Sequence, residues 1–303
     1  MLEREFIQYL KSQIQIPFAD TRVTLGIGDD AACLDFADRE VVSTMDTLVE
    51  GVHFDTTTIS LEDVGRKALA VNLSDLAAMG CYEPHSFLMS MAAPKSMQLE
   101  SAKSLVLGMQ RLADWFDIPL VGGDFVTTPG PLTITVQASG LVAENQLWTM
   151  SGAKAGDVIL VSGEFGGSIL EKHYSFSPRL DIAELVARRG IQLNAATDVT
   201  DGLIWDLHQV CAASNVGARL DKPSIPIHES LLELETDQES RLVRAMHDGE
   251  DFELILVADP SNAKRLVEAG DELGRLTPIG TIVADSGLFD ESGIEIKPKG
   301  YSH

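Results

Sequence analysis

Apolar residues recur at helical spacing near the start of the chain. Phe6, Ile7, Leu10 and Ile14 share one face and predict an amphipathic opening helix. Residues 23–27 read as a strand ending in the turn Gly28-Asp29-Asp30, and residues 40–45 as a second strand with Asp46 at its end. Residues 62–79 predict a helix of another kind. Leu69, Leu73 and Leu76 form one apolar stripe and Val64, Ala68 and Val71 a second, so this helix is expected to be buried all round. Strands at 86–92 and 132–143 flank a helix at 99–116, and a short strand at 118–121 ends in Gly122-Gly123-Asp124.

A polar stretch at 151–157 with two glycines precedes the apolar run 158–161. It sets a domain boundary near 145–150, dividing residues 1–147 from 148–303. Beyond it, helices from about 180 and at 203–213, 238–246 and 261–269 alternate with strands near 193–197, 252–257 and 277–283. Such a mixture belongs to the α+β or α/β class.

Composition narrows the functional classes. The chain has 303 residues, 45% of them apolar, which is ample for two domains with real cores. Lys plus Arg is 23 against 46 for Asp plus Glu, a formal net charge of −23. A chain this acidic repels nucleic acid and anionic lipid. If it handles phosphates, divalent cations are the obvious local source of positive charge. Cys33, Cys81 and Cys211 show no C-x-x-C spacing and suggest neither a disulfide framework nor structural zinc. No signal-peptide layout or membrane-length apolar run is present, so a soluble cytoplasmic protein is expected. P-loop, dinucleotide-fold, H-E-x-x-H and G-x-S-x-G signatures are absent.

The aspartates sit at informative places. Asp29 and Asp30 follow a strand, Asp124 follows two glycines, and Asp198 and Asp201 bracket a strand-to-helix turn. Each alone has a plain structural reading: a turn for Asp29-Asp30, a strand-end turn at Asp124, a helix cap for Thr200 or Asp201. Asp75 is harder to explain in that way. It lies among Leu73, Leu76, Ala77 and Ala78, with Lys67 two turns away and no obvious local ion pair. A carboxylate buried in such a helix must be paired, protonated or bound to a metal. Together these acids suggest a divalent-cation site, and Mg²⁺ commonly binds one or two carboxylates together with substrate phosphates. Phosphoryl transfer follows from that chemistry.

The ordered motifs resemble a known family. They are Gly26-Ile27-Gly28-Asp29-Asp30-Ala31-Ala32, Asp46-Thr47-Leu48-Val49-Glu50-Gly51-Val52-His53-Phe54, and the run at 67–80 containing Asn72-Leu73-Ser74-Asp75. Gly122-Gly123-Asp124, Asp198-Val199-Thr200-Asp201-Gly202, Gly249-Glu250-Asp251-Phe252 and Lys299-Gly300-Tyr301 follow in order. The set is similar to thiamine-monophosphate kinases, of the aminoimidazole ribonucleotide synthetase superfamily. The resemblance implies a two-domain α+β (PurM-like) fold with a C-terminal α/β domain. It also implies a homodimer whose N-terminal sheets pair into a shared β-barrel. The implied reaction is ATP-dependent phosphorylation of thiamine monophosphate to thiamine diphosphate, with several Mg²⁺ ions and no general base. By motif position, Asp30, Thr44, Met45, Asp46, Asp75, Asp124, Asp198 and Asp201 would be metal ligands. Gly123, Asp124 and Thr200 would contact ATP, and His53, Glu250 and Tyr301 would contact the thiamine phosphate. His173 is left unassigned.

Three positions depart from the family pattern. Met150 stands where the family carries Arg, and Gly167 where it carries Asp. The segment 172–179 keeps only His173, Pro178 and Arg179 of an R-H-x-R-P-x-P-R stretch, apart from Lys172 for the first Arg. Two alternatives follow. One is another ATP-using enzyme of the superfamily. The other is a catalytically weak homologue that senses nucleotide or thiamine phosphate.

Overall fold

The computed structural model describes residues 23–25, 29–35, 39–143, 146–235, 237–270 and 276–300. The predicted opening helix, Gly26 to Gly28 and Tyr301 lie outside the described residues.

Two sheets divide the chain. The first runs β1 (Val23–Leu25), β2 (Ala32–Asp35), β3 (Arg39–Val49), β6 (Thr133–Ala143), β4 (Glu83–Pro94), β5 (Leu120–Thr128) in spatial order. All neighbours are antiparallel except β4 and β5. Helices α1 (Leu61–Ala78) and α2 (Leu99–Trp115) belong to this half. Burial along β6 alternates strictly, as expected of a sheet covered on one face.

Helix α1 starts where Ser60 accepts from the Asp63 N–H and its hydroxyl bonds the Asp63 carboxylate. It packs on α2, on β3 and β6, and on elements of the second half. That enclosure accounts for its all-round apolar character, as the two stripes predicted.

Strands β3 and β5 differ from expectation. β3 pairs with β6 in unbroken register from Arg39 to Val49, so Asp46 lies mid-strand and not at its end. β5 continues to Thr128 because it pairs with β4 through Pro94, so Gly122-Gly123-Asp124 is strand and not a terminating turn.

The second sheet is ordered β13 (Glu295–Ile296), β12 (Gly287–Phe289), β9 (Gly217–Leu220), β11 (Leu276–Val283), β7 (Val158–Ser162), β10 (Leu254–Ala258), β8 (Ala195–Asp198). Its longer helices are α3 (Leu180–Arg188), α4 (Leu203–Ser214), α5 (Gln238–His247) and α6 (Pro260–Gly270). Leu160, Leu254 and Leu256 join the core shared with α1, while Ile159, Val161, Ile255 and Val257 join a core with α4 and α5. The central strands are thus apolar on both faces, which explains their unbroken apolar runs. The strands are antiparallel apart from β9 and β12, so helix–strand alternation here does not mark the parallel sheet of an α/β domain. Among the described residues no helix is long and apolar enough to cross a membrane.

Candidate active site

The pleat of β3 sends Thr44 and Asp46 to one face and Met45 to the other. Thr44 is buried, and its hydroxyl donates to Asp75 Oδ2 on α1 at 2.5 Å. The residue before it on α1 is Ser74, whose hydroxyl donates to Asp198 Oδ2 at the end of β8, also at 2.5 Å. Two adjacent residues of α1 therefore tie a strand of the first sheet to a strand of the second. Thr197, next on β8, donates to both oxygens of Asp30, at 3.3 and 3.1 Å.

These contacts gather Asp30, Asp46, Asp75 and Asp198. Burial pushes the Asp75 carboxyl well above the ordinary range, and the charges of Asp46, Asp198 and Asp30 push it further. Asp30 is raised in the same way by burial, then by Asp198 and Asp29. Burial pushes Asp198 up to about 7, against the Ser74 hydroxyl and with Asp46 adding to the rise. Asp46 is raised by burial, partly offset by a hydrogen bond with Asp75, and its Oδ2 is buried with no hydrogen-bond partner. Among the described residues no three acid, histidine or cysteine side chains stand as a finished ligand cage. The fit to a cation rests instead on the mutual repulsion of these acids and on that orphaned oxygen. Hard oxygen donors of this kind suit Mg²⁺.

Two predicted ligands lie apart from this group. The Met45 side chain is exposed on the opposite sheet face, so only its backbone can face the acids. Asp124 is exposed in the middle of β5, opposite Ser90. Gly123 is required there by packing: a Cβ would stand 1.9 Å from the Met89 carbonyl oxygen.

The turn after β8 holds Thr200 and Asp201. Asp206, on the first turn of α4, accepts from the N–H groups of Thr200, Asp201 and Gly202 at 2.9, 3.0 and 3.2 Å, all through Oδ2. Burial raises Asp206 well above the ordinary range, and Asp201 and Asp198 add to this. The turn also receives Glu250, whose N–H donates to the Thr200 carbonyl at 2.7 Å. Glu250 and Phe252 have φ of 61° and 52°, left-handed values that a non-glycine residue holds only when its surroundings enforce them.

The Glu250 carboxylate meets Lys67 of α1. Lys67 Nζ is fully buried and contacts Glu250 Oε1 at 2.7 Å, the His53 carbonyl at 2.9 Å and His173 Nδ1 at 3.2 Å. His173 Nδ1 also stands 3.4 Å from Glu250 Oε2. Burial pushes Glu250 up, but His173 and Lys67 more than offset it and leave the carboxyl below its ordinary range. His53 accepts the Val49 N–H at Nδ1, at 3.0 Å, which puts a neutral ring's proton on Nε2.

The departing positions have local explanations. Met150 packs against the second core, and its N–H donates to Asp29 Oδ2 at 3.2 Å. The Gly167 N–H donates to Asp248 Oδ2 at 3.2 Å, so a carboxylate from another loop serves this one. In the segment 172–179 Phe176 stacks on Phe252, with centroids 4.0 Å apart, and Arg66 donates to the carbonyls of Tyr174 and Phe176.

Sequence reasoning passed over Ser74, Lys67, His173 and Asp206 as site residues. A lysine inside an all-round buried helix was the available signal for Lys67. Nothing local marks the other three.

Two family models cover the chain. The AIR synthase related protein N-terminal domain matches residues 28–142 and its C-terminal domain residues 134–291. A thiamine-monophosphate kinase of Rhodopirellula baltica is 35% identical over 317 residues, covering 100% of this chain and 97% of the relative. The chain belongs to the thiamine-monophosphate kinase family of AIR synthase related proteins. The Bacillus subtilis member is 35% identical over 311 residues, covering 93% of this chain and 94% of its own. The crystal structure of the kinase of this family from Stenotrophomonas maltophilia is 33% identical with a TM-score of 0.77, covering 96% of both chains. The AaThiL structure complexed with AMPPCP and TMP shares the fold, with a TM-score of 0.83 at 24% identity over 100% of this chain and 96% of that one.

Proposed function

We propose that this protein transfers the γ-phosphoryl group of ATP to thiamine monophosphate, giving ADP and thiamine diphosphate. The observation that carries the reading is the convergence of acids from both halves of the chain. The Thr44–Asp75 and Ser74–Asp198 hydrogen bonds join β3, α1 and β8 at one point. Such a point suits two phosphate-bearing substrates held across a domain cleft.

Donor and acceptor are both anions, and the chain carries a net charge of −23. Mg²⁺ held by Asp30, Asp46, Asp75 and Asp198, with Thr44, the Met45 backbone and Asp201 as further donors, would offset the charge of the phosphates. Gly123, Asp124 and Thr200 are assigned to the ATP side. On the other side, the His53 tautomer donates through Nε2 to a phosphate oxygen. Glu250 presents a carboxylate to the cationic thiazolium, and Tyr301 completes this side. The acceptor is already a phosphate oxyanion, so the chain needs no strong general base. Transfer is direct and in line, without a phosphorylated enzyme.

The exposed face of the first sheet carries Met45, Leu88 and Val126, aligned through Gln137 and the β4–β5 pairing. An apolar surface of this kind supports a homodimer in which two such sheets meet as a shared barrel. The domains are assigned as 1–147 and 148–303, and the enzyme to the cytoplasm, where ATP is supplied.

A second reading is favoured by one observation. Met150, packed into the second core, supplies no cation where the family carries Arg. A protein that binds nucleotide or thiamine phosphate without turnover would result. Incubation with ATP, Mg²⁺ and thiamine monophosphate separates the two readings. The kinase makes thiamine diphosphate, and Asp75→Asn abolishes it while retaining the wild-type fold by circular dichroism. Binding of both substrates with no product supports the sensor.

A further inference from the structure

The residues assigned to the thiamine phosphate come from different halves of the chain, and one buried ammonium touches two of them. Lys67 Nζ donates to the backbone carbonyl of His53 and to the carboxylate of Glu250. His173 Nδ1 lies 3.2 Å from the same ammonium and 3.4 Å from the second Glu250 oxygen, closing the group around it. Lys67 has no exposed side-chain surface, whereas Glu250 is 32% exposed. Substrate can therefore reach Glu250 and cannot reach Lys67.

A fully buried ammonium is costly unless paired, and a hydrophobic side chain of similar length would often serve stability as well or better. Lys67 is placed instead where its charge fixes the direction of a carboxylate that stands on strained backbone. The neighbouring Arg66 binds the Tyr174 and Phe176 carbonyls and so secures the turn that carries His173.

Resting on the thiamine-phosphate reading above, we propose that Lys67 is a positioning residue for substrate recognition. It aims the Glu250 carboxylate at the cationic ring of thiamine monophosphate. The ATP side of the site does not depend on it. Lys67 acts on the bound ground state and the transition state alike, so its loss changes KM for one substrate.

The experiment is a set of steady-state measurements on the full chain. Lys67→Met raises KM for thiamine monophosphate about ten-fold or more, with kcat and KM for ATP within about two-fold of wild type. Glu250→Gln raises the same KM. In the Glu250→Gln background, Lys67→Met adds less than about two-fold, because its effect passes through that carboxylate. The double variant also recovers thermal stability lost in Lys67→Met, since no buried charge is left unpaired, while KM stays high. A structural role alone would move stability without this split in KM. Should Lys67→Met fail to fold, the double variant and His173→Gln carry the test. His173→Gln raises KM for thiamine monophosphate alone, by about two- to five-fold.

Unchanged KM in the single variants, equal changes in both KM values, or a full Lys67 effect in the Glu250→Gln background would overturn the proposal. A wild type that makes no thiamine diphosphate would end the kinase reading and this inference with it. A wild type that turns over, with Lys67→Met unchanged in KM, would end this inference alone.

Discussion

Asp206 shows how one carboxylate oxygen can shape a site it need not touch. It gathers three successive N–H groups of the turn carrying Thr200 and Asp201. Asp206→Ala leaves those donors without their acceptor, and turnover is expected to fall about a hundred-fold through misplacement of the turn. Asp206→Asn keeps an accepting oxygen and should retain most activity. Equal damage from both variants in a turnover assay would refute the positioning role. Arg179 and Glu253 pose a different problem. Arg179 grips both oxygens of Glu253 at 2.6 and 2.7 Å, and the carboxylate is nearly fully buried. Burial raises Glu253, but Arg179 and Lys172 outweigh it and leave the carboxyl below its ordinary range. Its folded value is depressed, so its contribution to stability is present above the unfolded carboxyl pKa of about 4.3 and lost as pH falls through the folded value. Arg179→Met should cost about 3 kcal/mol near pH 7, with the melting gap to wild type narrowing below about pH 4. A gap that is constant with pH would show that the guanidinium does not set the Glu253 charge.

At the scale of elements, α1 carries much of the account, since Lys67, Ser74 and Asp75 all sit on it. Its place against α2 is fixed by a reciprocal close approach. A Cβ at Gly65 would stand 1.8 Å from the Leu105 carbonyl oxygen, and one at Gly108 would stand 1.8 Å from that of Glu62. Gly65→Ala must push the helices apart, at a cost of about 1–3 kcal/mol. Because α1 moves, activity should fall together with melting temperature. Unchanged melting would mean that the contact is not tight. This helix was also the most legible element of the sequence, because burial on every side leaves an apolar pattern that needs no partner to be recognised. The strands were read less well where their limits depend on pairing. β5 continues past Gly122-Gly123-Asp124 because β4 supplies hydrogen bonds that no local pattern announces. The short strands β9, β12 and β13 were missed for the same reason: with two to four residues each, they show too little alternation to register.

At the scale of the molecule, the acids of the site were legible and their supports were not. Asp75 stands in a helix interior, where an acid is unusual, and the ordered family motifs pointed to Asp30, Asp46 and Asp198. Lys67 finds its carboxylate 183 residues away, in the other half of the chain, and helical periodicity cannot see such a partner. Asp124 shows the opposite case, a motif residue that lies exposed on β5 and apart from the buried acids. The uncovered sheet face belongs to this scale too. Val126→Asp should convert a dimer to monomer in sedimentation experiments, and a monomeric wild type at micromolar concentration would contradict the proposed pairing.

The central claim is direct phosphoryl transfer from ATP to thiamine monophosphate at the acid cluster. It is tested most directly by a single-turnover quench with excess enzyme, Mg²⁺, thiamine monophosphate and ATP labelled at the γ-phosphate. The account predicts that label passes from ATP to thiamine diphosphate with no protein-bound phosphate, and that Asp75→Asn leaves it in ATP. Label appearing only as orthophosphate, or passing through phosphorylated enzyme at the rate of product formation, would contradict it.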